Sequence, residues 1–189
     1  SLGVNIFVSS GDEGAKPNNQ LQVEFPASNP NVIAVGGTSL NINNSNTIVS
    51  ETAWSGSGGG TSSIYSKPSW QTALTGTGRI VPDVAATADP AYGAYVVLSN
   101  LVYQFGGTSL SAPIWAGICA LVNDARTRVG KGRIGFLPPL IYPYLGQNKF
   151  KDITSGNNGN YSATVGHDKV TGLGVPSISN LITALVALP

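Results

Sequence analysis

The chain has 189 residues, of which only 10% are charged, and its net charge is +1. A chain of this length can form one domain with its own core. Its charge balance provides no electrostatic surface for nucleic acid or for an anionic membrane. No apolar run approaches the roughly 20 residues that a membrane-spanning helix needs. The sequence therefore predicts a globular protein whose partners are neither nucleic acid nor a membrane.

A short β-branched and aromatic run opens the chain within residues 3–15 (GVNIFVSSGDEGA) and leads directly into a Gly-Asp turn. This pattern predicts a buried parallel strand that ends in a loop. In open α/β sheets, ligands bind at the carboxyl ends of the strands, so Asp12 is a candidate functional residue. The alternative is that Asp12 only stabilises a turn or caps a helix.

A second apolar strand is predicted at residues 32–35, closed by Gly36 and Gly37. Residues 39–50, rich in Asn and Ser, predict a hairpin or an exposed loop. Three consecutive glycines then follow within residues 51–62 (ETAWSGSGGGTS). They do not form a phosphate loop, because no Lys-Ser/Thr pair follows them. Trp54 in this stretch is either the wall of a cleft or an ordinary core residue.

Residues 94–98 and 102–105 predict a hairpin that leads to a helix. Residues 114–122 are apolar or Gly almost all round, which predicts a helix surrounded by protein on every side. Pro113 fits the first helical turn. Ser109 would then lie at the positive end of the helix dipole, where free N–H groups can stabilise an oxyanion. The alternative is that Ser109 or Ser111 merely caps the helix.

After this helix, residues 126–133 predict an exposed loop, and residues 178–188 a final helix with its apolar face inward. Cys119, the single cysteine, is predicted to be a small buried hydrophobe, and no internal disulfide is possible. Asn43 and Asn160 begin glycosylation sequons, which matter only in a secretory pathway. The chain has no Met and no signal peptide, so we expect a processed piece of something longer.

Two aspartates flank a loop of Gly, Asn and Ser within residues 150–176. Asp152 and Asp168 offer the hard oxygen ligands that Ca²⁺ prefers. The spacing is not that of an EF-hand, so on composition alone a calcium site is one of two options, the other being a simple turn-rich loop. His167, the only histidine, lies inside this loop.

Several of these segments resemble one family. Residues 107–113 (GTSLSAP) resemble the G-T-S-x-[SA]-x-P signature around the nucleophile of subtilisin-like serine peptidases, in particular the sedolisin or serine-carboxyl peptidase family. The α/β-hydrolase elbow is excluded because it needs a second Gly where Ser111 stands. Residues 9–12 (SSGD), 25–38 (FPASNPNVIAVGGT) and 51–62 resemble further segments of the same family. The resemblance covers essentially the whole chain and the C-terminal half of the family's catalytic domain.

The resemblance implies an α/β, subtilisin-like three-layer fold with a mainly parallel sheet. Residues 1–189 would form the C-terminal portion of a single catalytic domain, with a calcium loop at 150–176. The implied activity is endopeptidase cleavage at acidic pH through an acyl-enzyme on Ser109. In this family an Asp occupies the oxyanion hole, and by position it would be Asp12. Such an Asp must be protonated in order to donate a hydrogen bond.

The resemblance also implies the ligand sets. The residues expected to contribute to the cleft for peptide or protein substrates are Trp54, Ser57, Gly58, Gly59 and Gly60. The residues expected to bind one Ca²⁺ are Asp152 and Asp168 through their carboxylates, and Ile153, Thr164 and Gly166 through their carbonyls.

A nucleophilic serine needs a base. His167 lies inside the predicted calcium loop, and a catalytic histidine would instead have to lie beside Ser109. The base is therefore expected to be a carboxylate. The Glu-x-x-x-Asp helix that supplies base and partner in the family is missing here, because the residues four places after the three glutamates are Pro17, Ser28 and Ser55. The resemblance therefore implies either a second polypeptide that carries the catalytic Glu and Asp, or an inactive fragment.

Two other functions stay open at this point. One is a non-catalytic peptide- or glycan-binding module on the same scaffold. The other is a conventional subtilisin-like peptidase whose His and Asp lie outside this chain. The low charge and the abundance of Gly, Ser, Thr and Asn are typical of secreted or vesicular hydrolases. Together with the acidic activity that the resemblance implies, we expect a secreted protein or one in an acidic, lysosome-like compartment.

Overall fold

The computed structural model describes residues 3–189. Its strands and helices, besides four short 3-10 turns, are β1 (Phe7–Ser9), β2 (Ile33–Ile42), β3 (Ile48–Ala53), β4 (Gly60–Ser66), β5 (Gly78–Val81), β6 (Val84–Thr87), β7 (Ala94–Leu98), β8 (Leu101–Phe105), α1 (Thr108–Arg128), α2 (Pro138–Ile141), β9 (Phe150–Lys151), β10 (Val175–Pro176) and α3 (Ile178–Ala187).

The central sheet is built on β2. Strands β1 and β6 both run parallel to β2, with Phe7 opposite Ile33 and Val35 opposite Val84. Strand β3 pairs with the second half of β2 in antiparallel fashion, as a hairpin over the stretch predicted to be one. The other pairs, β4–β5, β7–β8 and β9–β10, are antiparallel and lie outside this sheet. The predicted α/β fold is confirmed, and its parallel part comprises β1, β2 and β6.

Both faces of residues 33–38 of β2 and of most of β6 are buried, whereas β1, which the sequence predicts to be a buried strand, is only half-buried. Ile33 and Val35 belong to the core cluster that includes Trp115 of α1, whereas Ala34 packs with Val81 on the opposite face. Successive side chains of a strand point to opposite faces, so a strand covered on both sides needs apolar residues throughout. Helices α1 and α3 pack together on the first face.

Strand β2 is longer than the predicted 32–35. It continues through Gly36 and Gly37 to Ile42. A Cβ atom on Gly37 would lie 2.4 Å from the Cβ of Ala88, and one on Gly36 would lie 2.7 Å from the ring of Pro82. The glycines therefore do not end the strand; they let neighbouring segments approach its backbone closely.

Helix α1 differs from its prediction in two ways. It begins at Thr108, so Pro113 is its sixth residue and not part of its first turn. One face, with Trp115 and Val122, is buried in the core, but the opposite face carries Ala116 and Leu121 and is exposed. The expectation of burial on every side is therefore wrong for this chain by itself.

The end of α1 is anchored by a charged side chain. Arg126 is only 3% exposed and donates hydrogen bonds to the carbonyls of Leu185, Leu188 and Pro189 at the end of α3. The exposed loop predicted from residue 126 therefore begins only after Arg128. The predicted final helix and the buried state of Cys119 are confirmed. None of the helices in the described part of the chain has the length and apolar character to cross a membrane.

A buried ion pair connects β5 to the start of β6. Arg79 and Asp83 both have fully buried side chains, and Arg79 Nη1 donates to Asp83 Oδ1 over 2.7 Å. Asp83 Oδ2 accepts from the N–H of Ala34 on β2 (2.8 Å), and its Oδ1 accepts from the hydroxyl of Tyr142 (2.6 Å). The carboxylate thus joins three segments of the central sheet region, because each hydrogen bond comes from a different element.

Removing Arg79 should therefore destabilise the fold strongly. An Arg79→Met substitution leaves Asp83 buried without its cation, a change that typically costs about 3–5 kcal/mol. Chemical denaturation measures the loss. The matched control is Arg128→Met, which breaks an ion pair to Asp124 of the same i,i+4 spacing with both side chains more than half exposed and should cost under about 1 kcal/mol. Equal losses for the two variants would contradict the prediction.

Candidate active site

Ser109 lies in the first turn of α1, where the sequence placed it. The chain leaves β8 at Phe105 and turns through Gly106 and Gly107 into the helix. Gly107 has a φ of 89°, a conformation that L side chains rarely adopt, and its N–H donates to the carbonyl of Ala88 (2.6 Å). The side chain of Ser109 is exposed, and its hydroxyl makes no hydrogen bond to any residue between 3 and 189. The Ser109 hydroxyl is therefore accessible to a substrate.

Asp12 is held directly against the start of this helix. Its Oδ1 accepts hydrogen bonds from the N–H of Thr108 (2.7 Å) and from the Thr108 hydroxyl (2.8 Å). A Cβ atom on Gly107 would lie 2.5 Å from Asp12 Oδ2, so only glycine leaves room for the carboxyl. Asp12 and Thr108, 96 residues apart in sequence, are thus brought together, and Thr108 is the residue directly before Ser109.

The alternative that Ser109 or Ser111 caps the helix is wrong. The capping residue is Gly107, and no side chain of the helix itself supplies the cap. Asp12 accepts from the first free N–H of the helix instead. Ser111 turns inward and donates to the carbonyls of Ala86 (3.1 Å) and Thr87 (2.9 Å) at the end of β6. The Ser111 hydroxyl therefore connects the helix to the sheet, whereas the Ser109 hydroxyl makes no such connection.

Further carboxylates surround Asp12. The Glu24 carboxyl lies beside Gly11, where a Cβ atom would be 2.9 Å from it. Burial raises the pKa of Glu24, and the negative charges of Glu13 and Asp12 raise it further. This side of the site is consequently acidic, and sequence reasoning missed Glu24 because it lies beyond a turn and outside the Gly-Asp motif.

The glycine-rich stretch is buried and packs against the backbone that leads to Asp12. Ser57, Gly58, Gly59 and Gly60 are all buried. A Cβ atom on Gly58 would lie 2.1 Å from the carbonyl oxygen of Ser10, and the Ser57 hydroxyl bonds the N–H of Gly37 (2.9 Å) and the carbonyl of Val170 (2.7 Å). These residues support the backbone that leads to Asp12; their predicted contribution to the substrate cleft stays a prediction. Trp54 is half-buried.

Both aspartates of the predicted calcium loop point to residues 164–166. Asp152 Oδ2 accepts from the N–H of Gly166 (2.8 Å), and Asp168 Oδ2 accepts from the N–H of Thr164 (3.2 Å). Ile153, the neighbour of Asp152, is buried. Burial raises the pKa of Asp168, which forms no ion pair with any side chain of residues 3–189. No group of three His, Cys, Asp or Glu side chains with metal-binding geometry occurs among those residues, so carbonyl oxygens would have to complete any site.

His167 contacts Tyr142 and makes no hydrogen bond to Ser109. Its ring stacks on Tyr142, with Nε2 3.4 Å from the Tyr142 hydroxyl. Burial lowers the pKa of His167 to about 4, with Asp83 opposing and Arg79 adding to the effect. The histidine thus belongs to the buried network around Asp83. This agrees with the inference that it is not a base for Ser109.

Comparison with known proteins supports this picture. The model of the subtilase family matches residues 1–132. Kumamolisin from Bacillus sp. is 39% identical over 98% of this chain and 37% of its own length, and tripeptidyl-peptidase sed4 from Aspergillus fumigatus is 34% identical over 98% of this chain and 39% of its own length. The structure of Pseudomonas sedolisin, a serine-carboxyl proteinase complexed with two molecules of pseudo-iodotyrostatin, matches with a TM-score of 0.86 and 36% identity over 96% of this chain and 55% of that chain.

The chain therefore belongs to the subtilase family and, within it, to the sedolisins. The predicted subtilisin-like fold is confirmed by the same matches. The chain spans less than two fifths of the length of the curated relatives named above.

Proposed function

We propose that this chain is the nucleophile-bearing part of a serine-carboxyl endopeptidase that cleaves peptide bonds at acidic pH. The observation that carries the proposal is the contact of Asp12 with Thr108 at the start of the helix that presents Ser109. In the proposed reaction, the base takes the proton of the Ser109 hydroxyl while Ser109 Oγ attacks the carbonyl carbon. The C–N bond then breaks, and the base gives the same proton to the leaving amine. Water then hydrolyses the ester on Ser109.

Asp12 would stabilise the oxyanion that forms during both steps. A carboxylate has no hydrogen to donate, so Asp12 can act only as a carboxylic acid. The helix dipole of α1 would stabilise the same negative charge. This requirement supports an enzyme that works in acid, and it supports the proposal that the protein acts outside the cell or in an acidic, lysosome-like compartment.

The base would come from elsewhere. The nine carboxylates of the chain contain no Glu-x-x-x-Asp pair, and His167 is engaged with Tyr142. We propose that a second polypeptide, or an upstream part, supplies a Glu and an Asp. Two carboxyls in one site share a proton because like charges raise the pKa of one of them, which suits general-base catalysis in acid.

An uncovered surface near Ser109 supports this partner. The exposed face of α1 begins beside Ser109 and continues through Pro113, Ala116 and Gly117 to Leu121, which is 54% exposed. Strand β1 pairs only with β2 among the strands of residues 3–189, so its other edge is available to a further strand. An apolar helix face and an open parallel edge beside the nucleophile fit a large, core-like interface with the upstream part.

Calcium would stabilise the loop of residues 150–176. Asp152 and Asp168 fit a hard cation because both carboxylates reach the same backbone segment and neither has a cationic partner in the described structure. The carbonyls proposed to complete the site are those of Ile153, Thr164 and Gly166. When bound, the ion would neutralise these charges and hold a loop that is poor in apolar residues.

Removal of calcium should therefore lower the melting temperature of the enzyme. At a free Ca²⁺ concentration of about 100 times the Kd, binding contributes about 2.7 kcal/mol. Melting curves with and without a chelator measure the effect, and Asp168→Asn should abolish the response to Ca²⁺. The control is Asp124→Asn, an exposed aspartate on α1. A melting temperature that ignores both the chelator and Asp168→Asn would remove calcium from the proposal.

Covalent trapping tests the peptidase proposal directly. A peptide aldehyde or a fluorophosphonate should add to the intact enzyme, and mass spectrometry should place the adduct on Ser109. Labelling should be strongest in acid. Binding of the peptide aldehyde without an adduct would favour the non-catalytic module instead, and labelling that is strongest at neutral or alkaline pH would favour a conventional subtilisin.

A further inference from the structure

The hairpin of β7 and β8 carries a large apolar surface that no part of residues 3–189 covers. Tyr95, Val97 and Val102 lie on one face and are between 66% and 74% exposed, and Leu98 and Leu101 at the tip are about equally open. None of these residues belongs to a core cluster. The sequence from Asp89 to Asp124 contains no charged residue in between. A hairpin this apolar and uncovered is marginal in water and calls for a partner.

The outer edge of β8 has free backbone groups. Ser99 and Asn100 have φ values of 51° and 62°, as in the two-residue type I′ turn, and Leu98 pairs with Leu101 across it. In such a hairpin the pair that flanks the turn is hydrogen-bonded, and the pairs then alternate. The N–H and C=O groups of Val102 and Gln104 consequently point away from β7. Strand β8 has no other strand partner in the described part of the chain.

The apolar faces of the hairpin and the free backbone groups of β8 together indicate which kind of partner binds here. Open strand edges are not tolerated in the hydrocarbon of a bilayer, because their backbone groups would find no partner there. An extended polypeptide satisfies both needs, since its backbone pairs with the edge and its side chains cover the apolar faces. Exposed edges are commonly protected by a charge, a proline or a bulge, and β8 has none of these.

We propose that the outer edge of β8 binds an extended apolar stretch of the polypeptide substrate by strand addition. The inference rests on the proposed peptidase function. Strand β8 ends at Phe105, four residues before Ser109, so its end lies within about 15 Å of the nucleophile along the chain. The five residues of β8 extend about 17 Å further from that point. An edge of this length, starting this close to Ser109, would pair with substrate residues several positions away from the bond to be cut.

The test compares a short peptide with a longer one that has the same cleavage sequence and an added arm of about six apolar residues. Arms on either end are tried with the complete enzyme. The Val102→Pro variant removes the outward N–H without removing a bond to β7. We expect kcat/KM for the longer peptide to fall about tenfold while the value for the short peptide is unchanged. The matched control is Val97→Pro on the outer edge of β7, which should change neither.

A second variant, Val102→Lys, retains the backbone N–H but places a charge on the edge, and it should weaken only the longer peptide. Unchanged kinetics for both Val102 variants would overturn the proposal. Equal losses on both peptides together with a lower melting temperature would make the hairpin an interface with the upstream part. A Val102-dependent change of molecular mass in light scattering, or Val102-dependent binding to phosphatidylcholine vesicles, would assign the edge to a second copy or to lipid.

The peptidase proposal and the edge proposal can fail separately. If the wild-type enzyme cleaves neither peptide, the proposed function fails. The edge is then judged by binding of the fluorescently labelled arm alone, measured by anisotropy with wild-type and Val102→Pro protein. Binding that disappears in the variant supports strand addition, and binding that persists or never occurs contradicts it.

Discussion

The Ser109→Ala enzyme should lose peptide cleavage almost completely while keeping its melting temperature. Loss of the nucleophile costs on the order of 10⁶-fold in kcat in subtilisin, a peptidase of the same family, and we expect a loss of that order here. The fold should be unaffected because the Ser109 side chain is exposed and bonds to no described residue. Steady-state kinetics on a short peptide and thermal melting together measure the two effects.

Ser111 is the matched control on the same helix. Its hydroxyl is fully buried and bonds the carbonyls of Ala86 and Thr87. Ser111→Ala should therefore lower stability by about 1–3 kcal/mol, because the buried carbonyl of Ala86 and the partly buried carbonyl of Thr87 lose the hydroxyl donor that they share. Cleavage should continue. Turnover that survives Ser109→Ala but not Ser111→Ala would move the nucleophile to Ser111.

Elements defined by local pattern could be predicted from the sequence. The strand predicted within residues 3–15, the hairpin of β7 and β8, and the final helix depend mainly on their own residues and turns. The role of Gly36 and Gly37 depends on residues distant in sequence. Pro82 and Ala88 approach the strand so closely that only glycine fits at these two positions. Local sequence propensity alone predicts that the strand ends at Gly36 and Gly37.

The same distinction applies to the site. The short motif around Ser109 and the Gly-Asp turn at residue 12 each suggested chemistry, but nothing local indicated that Asp12 bonds Thr108. Burial was the harder property to infer. The family resemblance predicts Ser57 and the glycines that follow it in the cleft, but nothing local indicated that Gly58 and Gly59 lie close against the backbones of Ser10 and Lys169. The exposed face of α1 was mistaken for buried surface because an apolar helix pattern does not say which chain covers it.

Substitutions of Asp12 should separate its two tasks. Asp12 caps α1 through Thr108 and, in the proposed mechanism, donates a hydrogen bond to the oxyanion. Asp12→Ala removes both, and we expect kcat to fall by about 10²–10³-fold, the usual effect of losing one oxyanion donor. The lost cap should cost about 1 kcal/mol of stability. Kinetics measured well below the melting temperature keep the two effects apart.

Asp12→Asn should retain much of the activity and change its pH dependence. The amide oxygen can still accept from Thr108, and the NH₂ group can donate to an oxyanion at any pH. The acid form of Asp12 donates, whereas the carboxylate cannot, so wild-type kcat should decline as pH rises and the Asn variant should decline less. Profiles of kcat from about pH 3 to pH 7 cover the range in which carboxyl catalysts change protonation. Glu13→Gln is the control, because Glu13 is adjacent but bonds only the exposed N–H of Asn18. If Asp12→Asn and Glu13→Gln both reproduce the wild-type profile at full activity, Asp12 is a helix cap and not an oxyanion donor.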